Sequence, residues 1–141
     1  MATATISIVE LAHKWELLQN GLTFSKKVDF KLFEEVFSAT YDLLSKSAPD
    51  GKIDKTQLSL ILSVHLFSMS SEKGLDYKSR AALILTDRML NCFIYHDSFG
   101  TADELPIFIL ETRKEIRISF KKVNESIFTL AKLLEDDYWN N

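Results

Sequence analysis

The chain contains three histidines and a single cysteine, residue types that serve as general bases, nucleophiles and metal ligands. Glu10 and His13 are three residues apart, so a helix would place both side chains on one face. Di-iron helical bundles use two such Glu-x-x-His pairs together with two further glutamates. Neither His65 nor His96 follows a glutamate at this spacing. We therefore interpret Glu10 and His13 as a surface pair on the first helix.

The other candidates for chemistry are scattered along the chain. His65 lies in an apolar segment. Its imidazole could serve as a metal ligand, a general base or a pH switch. The simpler interpretation, which we prefer, is a hydrogen-bonded residue in the core or at its boundary. His96 precedes Asp97 at the end of a predicted helix, where a cationic imidazole complements the helix dipole. Cys92 has apolar neighbours, which is typical of a buried, unreactive thiol. These residues lack the spacing of a zinc site, and the chain has no Gly-x-Ser-x-Gly, phosphate-loop or dinucleotide-binding motif.

The segment 50–54, Asp-Gly-Lys-Ile-Asp, is similar to the second half of an EF-hand calcium loop, with glycine at the sharp turn. If Gly51 occupies loop position 6, two oxygen ligands are missing and glutamine replaces the bidentate glutamate. The residues at loop positions 1, 3, 5 and 12 are Lys46, Ala48, Asp50 and Gln57. A Pro-Asp-Gly turn followed by a helix cap at Asp54 explains every residue of the segment. We prefer this interpretation and keep a degenerate calcium site as an alternative.

Charge patterning near the C-terminal end is more informative than these motifs. Residues 107–124 carry a net charge of +3, because five basic residues stand against two acidic ones. The basic residues are Arg113, Lys114, Arg117, Lys121 and Lys122. Three of them, Arg113, Arg117 and Lys121, are four residues apart, so a helix would align them as one stripe. The stripe is either a solvated helix face or a docking site for an acidic protein partner.

The final 17 residues carry the opposite charge, −3, since four acidic residues stand against Lys132. Tyr and Trp are common anchors of protein interfaces, so the acidic and aromatic tail is a second candidate binding surface. This tail consists of Glu135, Asp136, Asp137, Tyr138 and Trp139. Acidic residues at a helix C-terminus oppose the helix dipole. We therefore expect residues 137–141 to fray.

Length and composition restrict the fold class more than the function. The chain has 141 residues, 46% of them hydrophobic and 26% charged, with 4 glycines and 2 prolines. This composition is typical of one globular domain and excludes a disordered, collagen-like or disulfide-rich chain. A net charge of −3 argues against a dedicated nucleic-acid-binding protein. We expect a soluble, cytoplasmic protein, because we find no apolar span or signal-peptide pattern and the lone cysteine suits a reducing compartment.

Helical rather than strand periodicity dominates almost every long segment of the chain. The first helix is expected from a capping box at Ser7 to a stop at Gly21, and the second begins at Asp29. The third, residues 55–70, follows a second capping box and is apolar on nearly every side, so we expect it to be central and buried. The fourth helix is expected over residues 76–95.

The last helix is expected to be the longest, over residues 104–136 and about 50 Å at 1.5 Å per residue. Residues 116–120 alternate between apolar and polar as a strand would. We nevertheless predict a helix there, since good helix formers flank the segment and the longer apolar stripe continues in phase.

The sequence thus predicts one all-α domain over residues 1–141, with about five helices in a bundle-like or orthogonal array around helix 55–70. We expect a non-enzymatic interaction or regulatory protein that binds a protein partner, or a second copy of itself, through the basic stripe or the acidic tail. Three alternatives remain open: a small acidic inhibitor or immunity-type protein, a small helical enzyme with a histidine-containing pocket, and a calcium-binding protein. No cofactor, metal, membrane or small-molecule partner is implied.

Overall fold

A computed structural model describes residues 7–46, 54–71, 73–95, 105–109 and 113–140, with only the backbone described at 95, 105, 107, 109 and 137–140. These ranges contain five helices and one β-hairpin. In chain order the elements are α1 (Ile8–Ser25), α2 (Phe30–Ser45), α3 (Lys55–Ser68), α4 (Tyr77–Tyr95), β1 (Leu105–Ile109), β2 (Lys114–Ile118) and α5 (Val123–Asn140). The prediction of a single all-α domain with five helices is confirmed.

Side-chain caps begin the first three helices where the sequence predicts them. The N–H of Glu10 donates to Ser7 Oγ at 3.1 Å, and the carboxylate of Asp29 caps α2 in the same way. At α3 the capping box is complete, because Gln57 N–H donates to Asp54 Oδ1 at 2.9 Å and Asp54 N–H donates to Gln57 Oε1 at 3.0 Å. Each cap satisfies an amide that has no partner within its helix.

The predicted stop of the first helix at Gly21 is wrong. The helix continues to Ser25 and ends at Lys26, which takes the left-handed conformation with φ of 58°. A glycine within a helix costs only about 1 kcal/mol relative to alanine. Burial of Leu22, which continues the apolar face of α1, offsets this cost.

Aromatic side chains from three helices form the centre of the core. The indole of Trp15 is fully buried, at 5.1 Å from the ring of Phe67 and 6.0 Å from that of Phe33, centroid to centroid. Its Nε1–H donates to Thr40 Oγ1 at 2.9 Å. This bond satisfies the one polar group that the indole takes into the core.

Helix α3 is not buried on all sides, which corrects the expectation for residues 55–70. Leu60, Val64 and Phe67 are fully buried, whereas Leu62 and Leu66 on the other side are 53% and 55% exposed. Neighbouring helices α1 and α4 contact only part of the helix surface. An apolar composition drives burial only where another element is available to cover it.

The single long helix predicted for residues 104–136 is also wrong. The strands β1 and β2 pair antiparallel, with Leu105 opposite Ile118 and Ile109 opposite Lys114, and α5 begins only at Val123. The alternation over residues 116–120, which we interpreted as helical, marks the end of β2. Isoleucines at four positions of the two strands favour an extended backbone. Cross-strand hydrogen bonds then satisfy the backbone polar groups without a helix.

The bond between Trp15 and Thr40 makes a prediction for stability. Replacing Thr40 by valine keeps the volume of the side chain but leaves the buried indole N–H without an acceptor. We expect Thr40→Val to lower the free energy of unfolding by about 1–3 kcal/mol. The matched control is Thr129→Val, since the Thr129 hydroxyl is exposed and donates only to its own helix. Equal stability of the two variants in urea unfolding would contradict this role for Thr40.

The cap at Asp54 predicts a dependence of stability on pH. Hydrogen bonds from Thr56 and from the N–H of Gln57 hold the pKa of Asp54 below its ordinary value of 3.8. The charged form is therefore preferred in the folded state, so the contribution of Asp54 is complete above about pH 5 and is lost as the pH falls through the lower folded pKa.

The comparison of wild type with Asp54→Asn tests this dependence, because asparagine is also a good cap but does not titrate. We expect the difference in Tm between the two proteins to become smaller from pH 5 to pH 2.5. A difference that stays constant over this range would show that ionisation of Asp54 does not stabilise α3.

Candidate functional site

The Glu-x-x-His pair is part of an exposed surface. His13 Nδ1 lies 3.8 Å from Glu16 Oε2 rather than beside Glu10, and both side chains are mostly exposed. His13 and Glu16 line an open groove between α1 and α3, together with Lys55, Thr56 and Ser59. Within the ranges that the structure describes, no three His, Cys, Asp or Glu side chains are grouped so that they could hold a metal ion.

The structure separates the other candidates for chemistry. His65 is exposed on α3, so the expectation of a core or boundary histidine is wrong, while His96 lies outside the described residues. Cys92 is half-buried on α4, and burial raises its pKa more than the charge of Arg88 lowers it. At neutral pH the thiol is therefore largely protonated and a poor nucleophile.

The calcium-loop hypothesis concerns residues that the structure describes only in part. Residues 47–53, which include Ala48, Asp50 and Gly51, lie outside the described ranges. Gln57, at the position of the bidentate glutamate, uses its side-chain oxygen to accept the N–H of Asp54. Asp54 in turn accepts hydrogen bonds from Thr56 and Gln57. These two side chains act as a helix cap.

The basic residues of the C-terminal third do not form a helical stripe. Arg113 lies at the turn before β2 with φ of 55°, Lys114 and Arg117 lie on β2, and Lys121 and Lys122 lie in the connection to α5. The spacing of four residues therefore does not align them. All five side chains are exposed, and we call them the basic hairpin surface.

The hairpin register adds an aromatic side chain to this surface. Pro106 lies opposite Arg117, and Phe108 lies opposite Glu115. Since side chains on directly paired strand residues project to the same face, these four share the outer face of the hairpin. Pro106 is exposed, and half of the Phe108 surface is exposed. The outer face thus combines a cation, a carboxylate and an apolar ring, whereas Lys114, opposite Ile109, projects from the other face at the turn end of the hairpin.

Two buried residues anchor the backbone between Arg117 and Lys121. Ile118 and Phe120 are 2% and 4% exposed. The ring of Phe120 packs on α2, with centroids 6.1 Å from Phe37 and 5.8 Å from Tyr41. The core therefore holds this segment while the basic side chains on both sides of it face outward.

A pair of serines attaches the same segment to α5. The N–H of Ser119 donates to Ser126 Oγ at 2.9 Å, and the hydroxyl of Ser126 donates back to the carbonyl of Ser119 at 2.8 Å. The hydroxyl oxygen of Ser119 accepts the N–H of Lys121 at 3.3 Å. Because both serines are buried, these bonds fix the backbone that carries Lys121 and Lys122. The sequence contains no recognisable motif that signals this pair.

The acidic tail lies on the last turns of α5. Glu135 and Asp136 are exposed, and the helical backbone continues through Asp137, Tyr138 and Trp139, whose side chains are outside the described part. None of the five helices in the described ranges has the length and apolar character needed to cross a membrane.

Comparison with known proteins identifies no relative. No protein-family model, curated protein or solved structure matches this chain.

The serine pair makes a second prediction for stability. Removal of the Ser126 hydroxyl leaves the buried N–H of Ser119 without its acceptor, whereas the carbonyl of Ser119 still accepts the N–H of Lys122 at 3.3 Å. We expect Ser126→Ala to lower the free energy of unfolding by about 1–3 kcal/mol, measured by urea denaturation. The control is Ser25→Ala at the exposed end of α1. If Ser126→Ala is no less stable than Ser25→Ala, the serine pair does not anchor the hairpin.

Proposed function

We propose that this protein is a non-enzymatic interaction module that binds an acidic protein partner through the basic hairpin surface. The observation that carries the proposal is the exposure of five cations within ten residues, against one carboxylate, Glu115. Their backbone is held by Ile118, Phe120 and the serine pair. A fixed backbone reduces the conformational entropy lost when the surface binds its partner.

Electrostatic attraction would act mainly on partner choice and association rate. Exposed cations contribute little individually, but a group of the same sign creates a local field that steers an oppositely charged partner. At physiological salt this field reaches about 8 Å. The whole chain has a net charge of −3, so the attraction depends on the local surface rather than on the total charge.

The ring of Phe108 would supply the apolar contact that charge alone lacks. Interfaces are enriched in aromatic residues and arginine, which bury apolar area and keep a polar group available at one edge. Phe108 and Arg117 share the outer face of the hairpin through the strand register. We therefore expect the centre of the binding surface near these two side chains and the lysines at its rim.

The acidic tail supports a second binding proposal. Glu135 and Asp136 are exposed at the end of α5, and a basic target would be attracted to this end. A small acidic inhibitor or immunity-type protein would act in this way. In that case, deletion of residues 135–141 abolishes binding to the basic target and leaves binding to an acidic partner intact.

We further propose a cytoplasmic location, where the single thiol of Cys92 stays reduced.

Charge reversal tests the proposed function. The variant Lys114→Glu/Arg117→Glu/Lys122→Glu reverses three cations of the basic hairpin surface. The control Lys27→Glu/Lys31→Glu/Lys132→Glu reverses three exposed lysines elsewhere and changes the net charge equally. We expect the first variant to bind immobilised poly-L-glutamate, a mimic of an acidic partner, roughly tenfold more weakly than wild type. We expect the control to retain binding.

Two outcomes would contradict the proposal. Equal weakening of the two triple variants would mean that total charge, and not this surface, determines the binding. Unchanged binding of the hairpin variant would remove the surface from consideration. The same pair of variants, used as baits in lysate of the source cells, shows whether a natural partner depends on these cations.

A further inference from the structure

Most of the exposed apolar side chains in the described part of the chain lie on two neighbouring helices. Ten large hydrophobic residues are exposed there, and seven of them belong to α1 and to α3 with its C-cap. These seven, the outer apolar surface, are Val9, Leu17, Phe24, Leu58, Leu62, Leu66 and Met69. A concentration of this kind marks a binding surface more often than scattered exposed residues do.

Helical spacing arranges these residues as two ridges. Val9, Leu17 and Phe24 are eight and seven residues apart, so they form a line about 80° wide along one side of α1. The residues of α3 are separated by four, four and three positions and form a second line. Both lines lie opposite the buried faces, which include Trp15 on α1 and Val64 on α3.

A groove lies between α1 and α3 where both helices begin, beside the start of the α1 ridge. Its volume is about 370 Å³, and its walls include Val9 and His13 from α1 and Lys55 and Ser59 from α3. Ridges of one helix surface pack into grooves of another. Each copy of the chain thus presents both parts of such a contact.

The absence of charged residues on most of α3 indicates which kind of surface would bind to it. Residues 56–71 contain no Asp, Glu, Lys or Arg. A charged partner would gain no complementary charge there, and a lipid surface is disfavoured because helices that lie on membranes carry Lys and Arg along the polar face. The cores of protein interfaces are depleted of charge in the same way. The occupant is therefore a protein surface that is itself apolar and uncharged.

We propose that the outer apolar surface binds a second copy of the same surface, so that the protein forms a two-fold symmetric dimer through α1 and α3. A copy supplies the apolar, uncharged face of α3 at matching length, and α1 adds Val9, Leu17 and Phe24 beside the exposed carboxylates of Glu10 and Glu16. An interface between identical patches is the usual form of a homodimer. The proposal is independent of the basic hairpin surface, which lies on other elements.

The exposed area agrees with what such a dimer needs. The seven side chains expose the equivalent of about four complete side chains, or on the order of 600 Å² per copy at roughly 150 Å² each, the lower end of the aromatic range. A standard interface buries about 800 Å² on each partner. Polar groups of the groove, including His13, Thr56 and Ser59, lie next to the ridges and supply the remainder.

Sedimentation equilibrium of the full chain tests the proposal. At about 50 µM, a concentration at which a micromolar dimer is mostly associated, we expect a mass twice the 16.2 kDa of the chain. Leu62→Glu should raise the dissociation constant at least about 30-fold, because each substitution acts twice in a symmetric interface. Leu66→Ser provides a milder second variant that retains the fold, and it should weaken the dimer in the same direction.

Phe128→Glu is the matched control. Phe128 on α5 is 64% exposed but lies outside the outer apolar surface. The dimer dissociation constant of this variant should therefore be within about twofold of that of wild type. A monomeric wild type overturns the proposal. The proposal is also overturned if Leu62→Glu and Leu66→Ser leave the dimer intact. It is overturned as well if Phe128→Glu weakens the dimer as much as these two substitutions do. The hairpin charge-reversal variant should remain dimeric, which separates this test from that of the proposed function.

Discussion

The indole of Trp15 lies where α1, α2 and α3 meet, and the rest of the described structure is arranged around it. Its ring packs against Phe33 of α2 and Phe67 of α3, and its N–H donates to Thr40. A large flat side chain with one polar group can be buried only if that group finds an acceptor. The hydroxyl of Thr40 therefore restricts how α1 and α2 can pack against each other.

The aromatic contacts extend from this centre to the basic hairpin surface. Phe33 packs on Phe37, and Phe37 packs on Phe120, the residue between β2 and α5. Burial of Phe120 fixes the backbone at the point where the chain leaves the hairpin, and the pair Ser119–Ser126 fixes it a second time. The position of the exposed cations is thus a consequence of core packing, although none of them contacts the indole.

The two proposed surfaces differ in the physics by which they would bind. The basic hairpin surface relies on charge, which acts over several ångströms and is screened by salt. The outer apolar surface relies on removal of apolar area from water, which is short-ranged and much less sensitive to screening. They lie on different elements, so one copy of the chain has room for both contacts. A dimer would present the basic surface twice and so gain avidity for a partner with repeated acidic sites.

By itself, the sequence determined the all-α class, the five helices and the caps at Ser7, Asp29 and Asp54, because periodicity and capping depend on residues close in the chain. Tertiary structure decided which sides of α3 are covered, since that depends on where α1 and α4 lie. It also decided that residues 105–118 pair as strands, because a strand is stabilised by hydrogen bonds to a partner distant in the chain. For the same reason the helical stripe predicted from the spacing of Arg113, Arg117 and Lys121 is wrong, because these residues lie at a turn, on β2 and in the connection to α5.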